Sequence, residues 1–138
     1  MRYLACLSFL LALMACSKTL PAPAEEVETQ GGELTIAVNE RATLDKSYSL
    51  AFLNVSEDSR CPPGVTCVWE GRAVLTLGLE SEGQSLETLE LTIQAGRPEM
   101  AAGDLGGYRL TVLDLTPFSM GSDGTAPDYR VKVMAEKK

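Results

Sequence analysis

The sequence predicts an all-β fold, an antiparallel β-sandwich of about six or seven strands. Three features carry this expectation. Apolar and polar residues alternate with period two in segments from Glu33 onward. Clusters of Gly, Pro, Asp and Ser separate those segments. No window carries an apolar stripe at the 3.6-residue period of a helix. About 100 residues suffice for one modest core. A small open β-barrel is the alternative, because alternation does not fix the order of strand pairing.

The first expected strand runs from Glu33 to Val38, and a short additional one is possible at Ala42 to Leu44. Ser47 to Val55 follows, with Leu53 and Val55 assigned to one face. Val68 to Leu79 is rich in β-formers, and Gly71 suggests a bulge in it. Ser81-Glu82-Gly83-Gln84 reads as a hairpin turn into Leu86 to Ile93, where Leu89, Leu91 and Ile93 share a face opposite Thr88, Glu90 and Thr92. Tyr108 to Leu115 is the next strand. In the last, Tyr129 to Val133, Tyr129, Val131 and Val133 alternate with Arg130 and Lys132, the pattern of a half-buried edge. Ala95 to Gly107 and Thr116 to Asp128 are Gly/Pro-rich and read as long connections at the ends of the sandwich.

Composition excludes several functions. The chain has 138 residues, 19 acids against 12 bases, and no histidine. Ser-His-Asp and Cys-His catalysis, histidine-ligated zinc and an imidazole pH switch are therefore out of reach. The acidic balance, with a pI near 4.6, offers no basic stripe for nucleic acid. No cofactor motif is present: neither a Gly-x-Ser-x-Gly elbow nor a phosphate loop occurs.

The N-terminal segment reads as an export signal, residues 1–15. Arg2 supplies the positive end, and Leu4 to Leu13 is apolar apart from Ser8, too short for a spanning helix of about 20 residues. It leads into Leu13-Met14-Ala15-Cys16. This resembles the lipobox of bacterial lipoprotein precursors, with Met14 bulkier than their usual residue. The resemblance implies cleavage before Cys16, acylation of its thiol and new amino group, and a lipid bilayer as partner. Two or three acyl chains anchor stably at about 0.8 kcal/mol per buried CH₂. Ser17, not Asp, follows the lipid cysteine. In a Gram-negative envelope this implies the outer membrane, and in a Gram-positive one the outer face of the plasma membrane. Loss of Arg2 takes the net charge from −7 to −8, which suits a domain held clear of anionic lipid.

Residues 16–32 read as a lipidated, disordered tether, with Pro21, Pro23, Glu25, Glu26, Glu28, Gly31 and Gly32. It reaches about 50 Å fully extended and about 20–25 Å as a coil. The β-domain is expected over 33–138.

Cys6 leaves with the signal, so Cys61 and Cys67 remain as a pair in an oxidising compartment and are expected to form a disulfide. Closing that loop contributes roughly 2.4 kcal/mol in the chain-entropy account. A redox site is the weaker alternative: five residues separate the cysteines, between strands, where thioredoxin-like sites place two at a helix start.

The surrounding stretch contains Asp58-Ser59-Arg60-Cys61-Pro62 and Cys67-Val68-Trp69-Glu70-Gly71. It resembles a segment shared by small exported bacterial proteins, many of them lipoproteins, to which no activity is assigned. That family carries Asp-Ser-Arg-Cys-Pro and then Cys, an apolar residue, Trp, one residue and Gly. It also tends to carry a strand before the segment and a Tyr-containing strand near the end, as Tyr48 to Val55 and Tyr129 to Val133 supply. The resemblance implies an exported β-rich domain and lends no catalytic residue.

Asp58, Arg60 and Trp69 are the candidate binding residues. Arg60 can lie over the Trp69 ring or pair with Asp58, Glu57 or Glu70, and Trp and Arg are common interface anchors. The competing reading is a stiffened corner, with Asp58 or Ser59 capping the turn and Trp69 covering the bridge. Other candidates are weaker. Asp123, Gly124 and Asp128 lack EF-hand spacing and read as a turn. Met100, Met120 and Met134 read as scattered packing, not a soft-metal site. Asp114 and Glu99 are ordinary carboxylates in an acidic chain. The expected function is a non-enzymatic, monomeric, membrane-anchored lipoprotein that engages an envelope protein. The alternatives are a purely structural module and a carboxylate-based enzyme, and fold alone does not choose among them.

Overall fold

The computed structural model describes residues 32–118 and 127–138. The signal segment, Cys16, residues 17–31 of the tether, Met120, Asp123 and Gly124 lie outside the described residues. Eight strands occur among the described residues: β1 (Gly32–Ala37), β2 (Arg41–Thr43), β3 (Ser49–Asp58), β4 (Arg72–Ser81), β5 (Gln84–Gln94), β6 (Ala102–Leu105), β7 (Tyr108–Thr116) and β8 (Arg130–Lys137). A single 3₁₀ turn, Pro98–Ala101, precedes β6. One antiparallel sheet has the order β1-β8-β7-β6 and the other β2-β3-β4-β5. The two open sheets form a sandwich and not a closed barrel.

The core lies between the sheets. Leu34, Ile36, Leu110, Val131 and Val133 come from one, and Leu50, Phe52, Leu75, Leu77 and Leu91 from the other. Alternation drives most of this. On β8, Val131 and Val133 are fully buried while Arg130 is exposed and Lys132 half-buried. That strand is not an edge, as its alternation suggested. It lies between β1 and β7 and runs on to Lys137, because one solvated face of an antiparallel sheet alternates at any position. The hairpin turn falls where expected: Ser81 pairs with Gln84, and Glu82 (φ 51°) and Gly83 (φ 76°) take the left-handed conformations a two-residue turn requires. On β5, Leu91 is buried and Leu89 and Ile93 pack against the core.

Four register shifts interrupt the ladders among the described residues, and two of them decide which way a leucine faces. The first lies between Phe52 and Asn54. It lets Phe52 and Val55 both face the core, although they are an odd number of residues apart, and it places Leu53 on the other face over Gly78. The expected pairing of Leu53 with Val55 on one face is therefore wrong. The second bulge lies between Val112 and Asp114 on β7; it keeps both Val112 and Leu115 buried and leaves Leu113 exposed.

Boundaries also differ: the strand expected over Ser47 to Val55 runs on to Asp58, and the one expected over Leu86 to Ile93 spans Gln84–Gln94. The strand expected from Val68 begins only at Arg72, and residues 68–71 belong to the preceding loop. Gly71 is therefore not a bulge within a strand. The stretch read as a connection, Ala95 to Gly107, contains β6, which pairs with β7 as a four-residue edge. Four residues are too few to show a period.

Candidate functional site at the disulfide end of the sandwich

The loop between β3 and β4 is pinned by the Cys61–Cys67 disulfide, with Cα atoms 6.0 Å apart. Pro62 and Pro63 leave few conformations to the chain, and the Val65 N–H donates to the Pro62 carbonyl at 3.3 Å. The loop carries three apolar side chains into solvent: Val65 (59 % exposed), Val68 (92 %) and Trp69 (79 %).

Beneath it sits a buried ion pair. The Asp58 and Arg60 side chains are 2 % and 8 % exposed. Arg60 donates from Nε to Asp58 Oδ1 and from Nη2 to Oδ2, each at 2.8 Å, a two-point guanidinium–carboxylate contact. It also donates across to the other sheet, from Nη1 to the Leu115 carbonyl (2.6 Å) and from Nη2 to the Pro117 carbonyl (2.8 Å). The guanidinium carbon lies 4.5 Å from the centroid of the Phe118 ring. The Tyr129 hydroxyl donates to Asp58 Oδ2 at 3.0 Å, so the carboxylate too bridges the sheets. Burial pushes the Asp58 carboxyl up, but the Arg60 side-chain and backbone donors, with the Tyr129 hydroxyl, outweigh it and hold it below the ordinary range. Around the rim, Arg72 makes a two-point contact with Glu57.

The structure thus brings Asp58 and Arg60 together and leaves Trp69 apart from them. Arg60 lies over Phe118 and not over Trp69. Its donors are drawn inward by a carboxylate and two carbonyls, and Phe118 follows directly on that strand end. Asp58 supports the turn as the corner reading expected, its Oδ1 accepting from the Arg60 N–H at 3.2 Å. Trp69 stands mostly in solvent. Phe118, Leu113 and Tyr129 join the site without a sequence signal that marks them as its members, although alternation marks Tyr129 as inward-facing.

An open cleft of about 340 Å³ lies beside this lattice, lined by Arg60, Glu70, Ile93, Leu113, Asp114 and Phe118 among others. One wall is the disulfide loop, the second the end of β5, the third the end of β7. Phe118 and the bulge-displaced Leu113 are both exposed on it. Of the carboxylates Asp114 and Glu99, Asp114 reaches this cleft and Glu99 is not among its lining residues. Among the described residues no group of three or more Cys, Asp or Glu is placed to hold a metal ion, and no helix is long and apolar enough to cross a membrane.

A second inter-sheet clasp closes the far end. Asp45, in the β2–β3 loop, accepts from the Tyr108 hydroxyl, from the Ser47 and Tyr48 N–H groups, and from Lys137 Nζ. The Tyr108 hydroxyl, then the Ser47 N–H, hold the Asp45 carboxyl well below the usual carboxylate range. Burial, then Asp45, pushes the Tyr108 hydroxyl up to about 12. A depressed carboxylate stabilises the fold above its unfolded pKa of about 3.9 and loses that contribution as pH falls. The raised phenol stabilises below its unfolded pKa of about 10 and loses its contribution as pH rises toward 12. Tyr108→Phe is expected to cost about 2 kcal/mol at pH 7. Urea unfolding at pH 7 and pH 3 checks this: the variant should lose less on acidification than the parent, and equal losses would disprove the linkage.

No protein-family model matches this chain, and neither a curated protein nor a solved structure does.

Proposed function

We propose that the chain is the precursor of an exported bacterial lipoprotein. In this reading acylated Cys16 holds it to the membrane, and the β-sandwich binds an envelope protein through its disulfide end without catalysing a reaction. In a Gram-negative host Ser17 would direct it to the outer membrane. The supporting observation is the exposure of Val65, Val68 and Trp69 on a loop fixed by both a disulfide and the buried Arg60 lattice. Exposed apolar groups clustered on a stiff support are the mark of a contact surface. Preorganisation also reduces the ordering cost of binding. Asp58 and Arg60 then serve as the support, and Trp69 as the contact.

The test is crosslinking in intact envelopes followed by pull-down of the chain. Trp69→Ala should lose the crosslinked partner, with roughly a 30-fold drop in affinity if Trp69 is a hot spot of about 2 kcal/mol, and should melt like the parent. A partner retained by Trp69→Ala would refute the contact surface. Cys16→Ser should abolish labelling by a fatty-acid analogue, and continued labelling would refute the anchor.

A further inference from the structure

We propose that the cleft beside the disulfide loop takes an extended, cationic segment of a protein partner, seating one apolar side chain on Leu113, Ile93 and Phe118 and a neighbouring Lys or Arg against Glu70 and Asp114. The inference deepens the contact-surface reading and does not depend on the lipid anchor.

Charge decides against an anionic ligand. The cation in the wall, Arg60, is held by the Asp58 carboxylate and two backbone carbonyls. Its charge is thereby matched, and its donors point away from an incoming group. The other charged side chains lining the cleft are Glu70 and Asp114, both exposed. Among the described residues the hydrogen bond to Asp114 is from the N–H of its neighbour Leu115 to Oδ1, at 2.9 Å. Lys132, opposite Asp114 on β8, is paired with Glu33 at 2.9 Å and reaches Asp114 only through longer-range charge attraction. A chain with a net charge of −7 also draws cationic partners toward it by long-range attraction.

Shape decides against a large ligand. About 340 Å³ is near the lower bound for small-molecule sites. It matches one or two side chains presented by a passing backbone. The apolar seat exists because the β7 bulge displaces Leu113 outward instead of burying it. Gly32 pairs with Ala135 and Ala37 with Arg130, so β1 begins at the end of the sandwich away from the cleft.

The experiment uses the full-length protein in detergent and three labelled pentapeptide probes, Gly-Lys-Phe-Lys-Gly, Gly-Glu-Phe-Glu-Gly and Gly-Lys-Ser-Lys-Gly, read by fluorescence polarisation. The first should bind at least about tenfold more tightly than either of the others. Glu70→Gln with Asp114→Asn should remove most of that preference and flatten its salt dependence. Leu113→Ser, at an exposed position, should weaken the first probe while leaving the melting temperature unchanged. Equal binding of the lysine and glutamate probes would overturn the proposal. So would concentration-dependent dimerisation, or flotation with phosphatidylethanolamine–phosphatidylglycerol vesicles, abolished by Leu113→Ser, since either assigns the cleft another occupant. If Trp69→Ala loses the envelope crosslink and the carboxylate variant keeps it, the contact surface stands and the cationic-segment proposal fails. If neither variant changes the crosslink, both fail.

Discussion

Arg60→Ala will destabilise the domain by about 3–5 kcal/mol. At about 4–8 °C per kcal/mol for a domain of this size, the melting temperature will fall by roughly 12–40 °C. The loss comes chiefly from what is left behind. Asp58, 2 % exposed in the parent, would lose its guanidinium partner while keeping the Tyr129 hydroxyl, and the Leu115 and Pro117 carbonyls would lose the Arg60 donors. Buried acceptors stripped of donors carry their full desolvation cost. Arg60→Lys will recover little, because a single ammonium cannot make the two-point contact with Asp58 and reach both carbonyls. The double variant Asp58→Leu, Arg60→Met should recover part of the loss, since it removes the stranded charge along with its partner. The depressed Asp58 pKa adds a signature. Its contribution is present above the unfolded carboxylate range and disappears as pH falls, so parent and Arg60→Ala stabilities should converge in acid. Urea unfolding at neutral and acidic pH measures both effects. A loss below about 1 kcal/mol at neutral pH would mean that the pair behaves as a solvated surface contact.

The alternation that makes the sandwich legible is a local property. On β8 Val131, Val133 and Ala135, and on β5 Leu89, Leu91 and Ile93, mark the inward side of the sheet, and so those stretches and the 81–84 hairpin can be read directly. A bulge is a relation between two strands. Nothing in the sequence around Leu53 or Leu113 says that the partner strand skips a residue there. Parity therefore misassigns the first leucine and gives no sign that the second is exposed. The site is legible in part for the same reason. Asp58 and Arg60 are two residues apart, and their pairing is among the expected ones. Their burial depends on Leu115, 55 residues from Arg60, and on Tyr129, 71 residues from Asp58. Those contacts exist only once the sheets have stacked. The residue types suggest a Trp–Arg patch. The stacked sheets separate the two, giving Arg60 to the interior and Trp69 to solvent.

Gly71→Ala will cost about 3 kcal/mol or more, for a reason that a turn glycine does not share. A β-carbon at Gly71 would stand 1.6 Å from the Ser59 carbonyl oxygen, 2.3 Å from its carbon and 2.7 Å from the Arg60 nitrogen. All three are backbone atoms, so no side chain can swing aside. The ends of β3 and β4 must part, which stretches the 2.8 Å hydrogen bond from the Ser59 N–H to the Arg72 carbonyl and drags Arg60 off its acceptors. Gly64, in the same loop, provides the contrast. A methyl group there would meet nothing within 4 Å, but its φ is +82°, so Gly64→Ala should cost only about 1–2 kcal/mol of backbone strain. The two substitutions therefore separate crowding from dihedral strain within one loop. Because Gly71→Ala acts by displacing Arg60, its cost in an Arg60→Ala background should be smaller than in the parent, whereas the cost of Gly64→Ala should be nearly the same in both. Urea midpoints of the single and double variants decide it. Strict additivity of Gly71→Ala with Arg60→Ala would mean that the glycine and the buried arginine are independent.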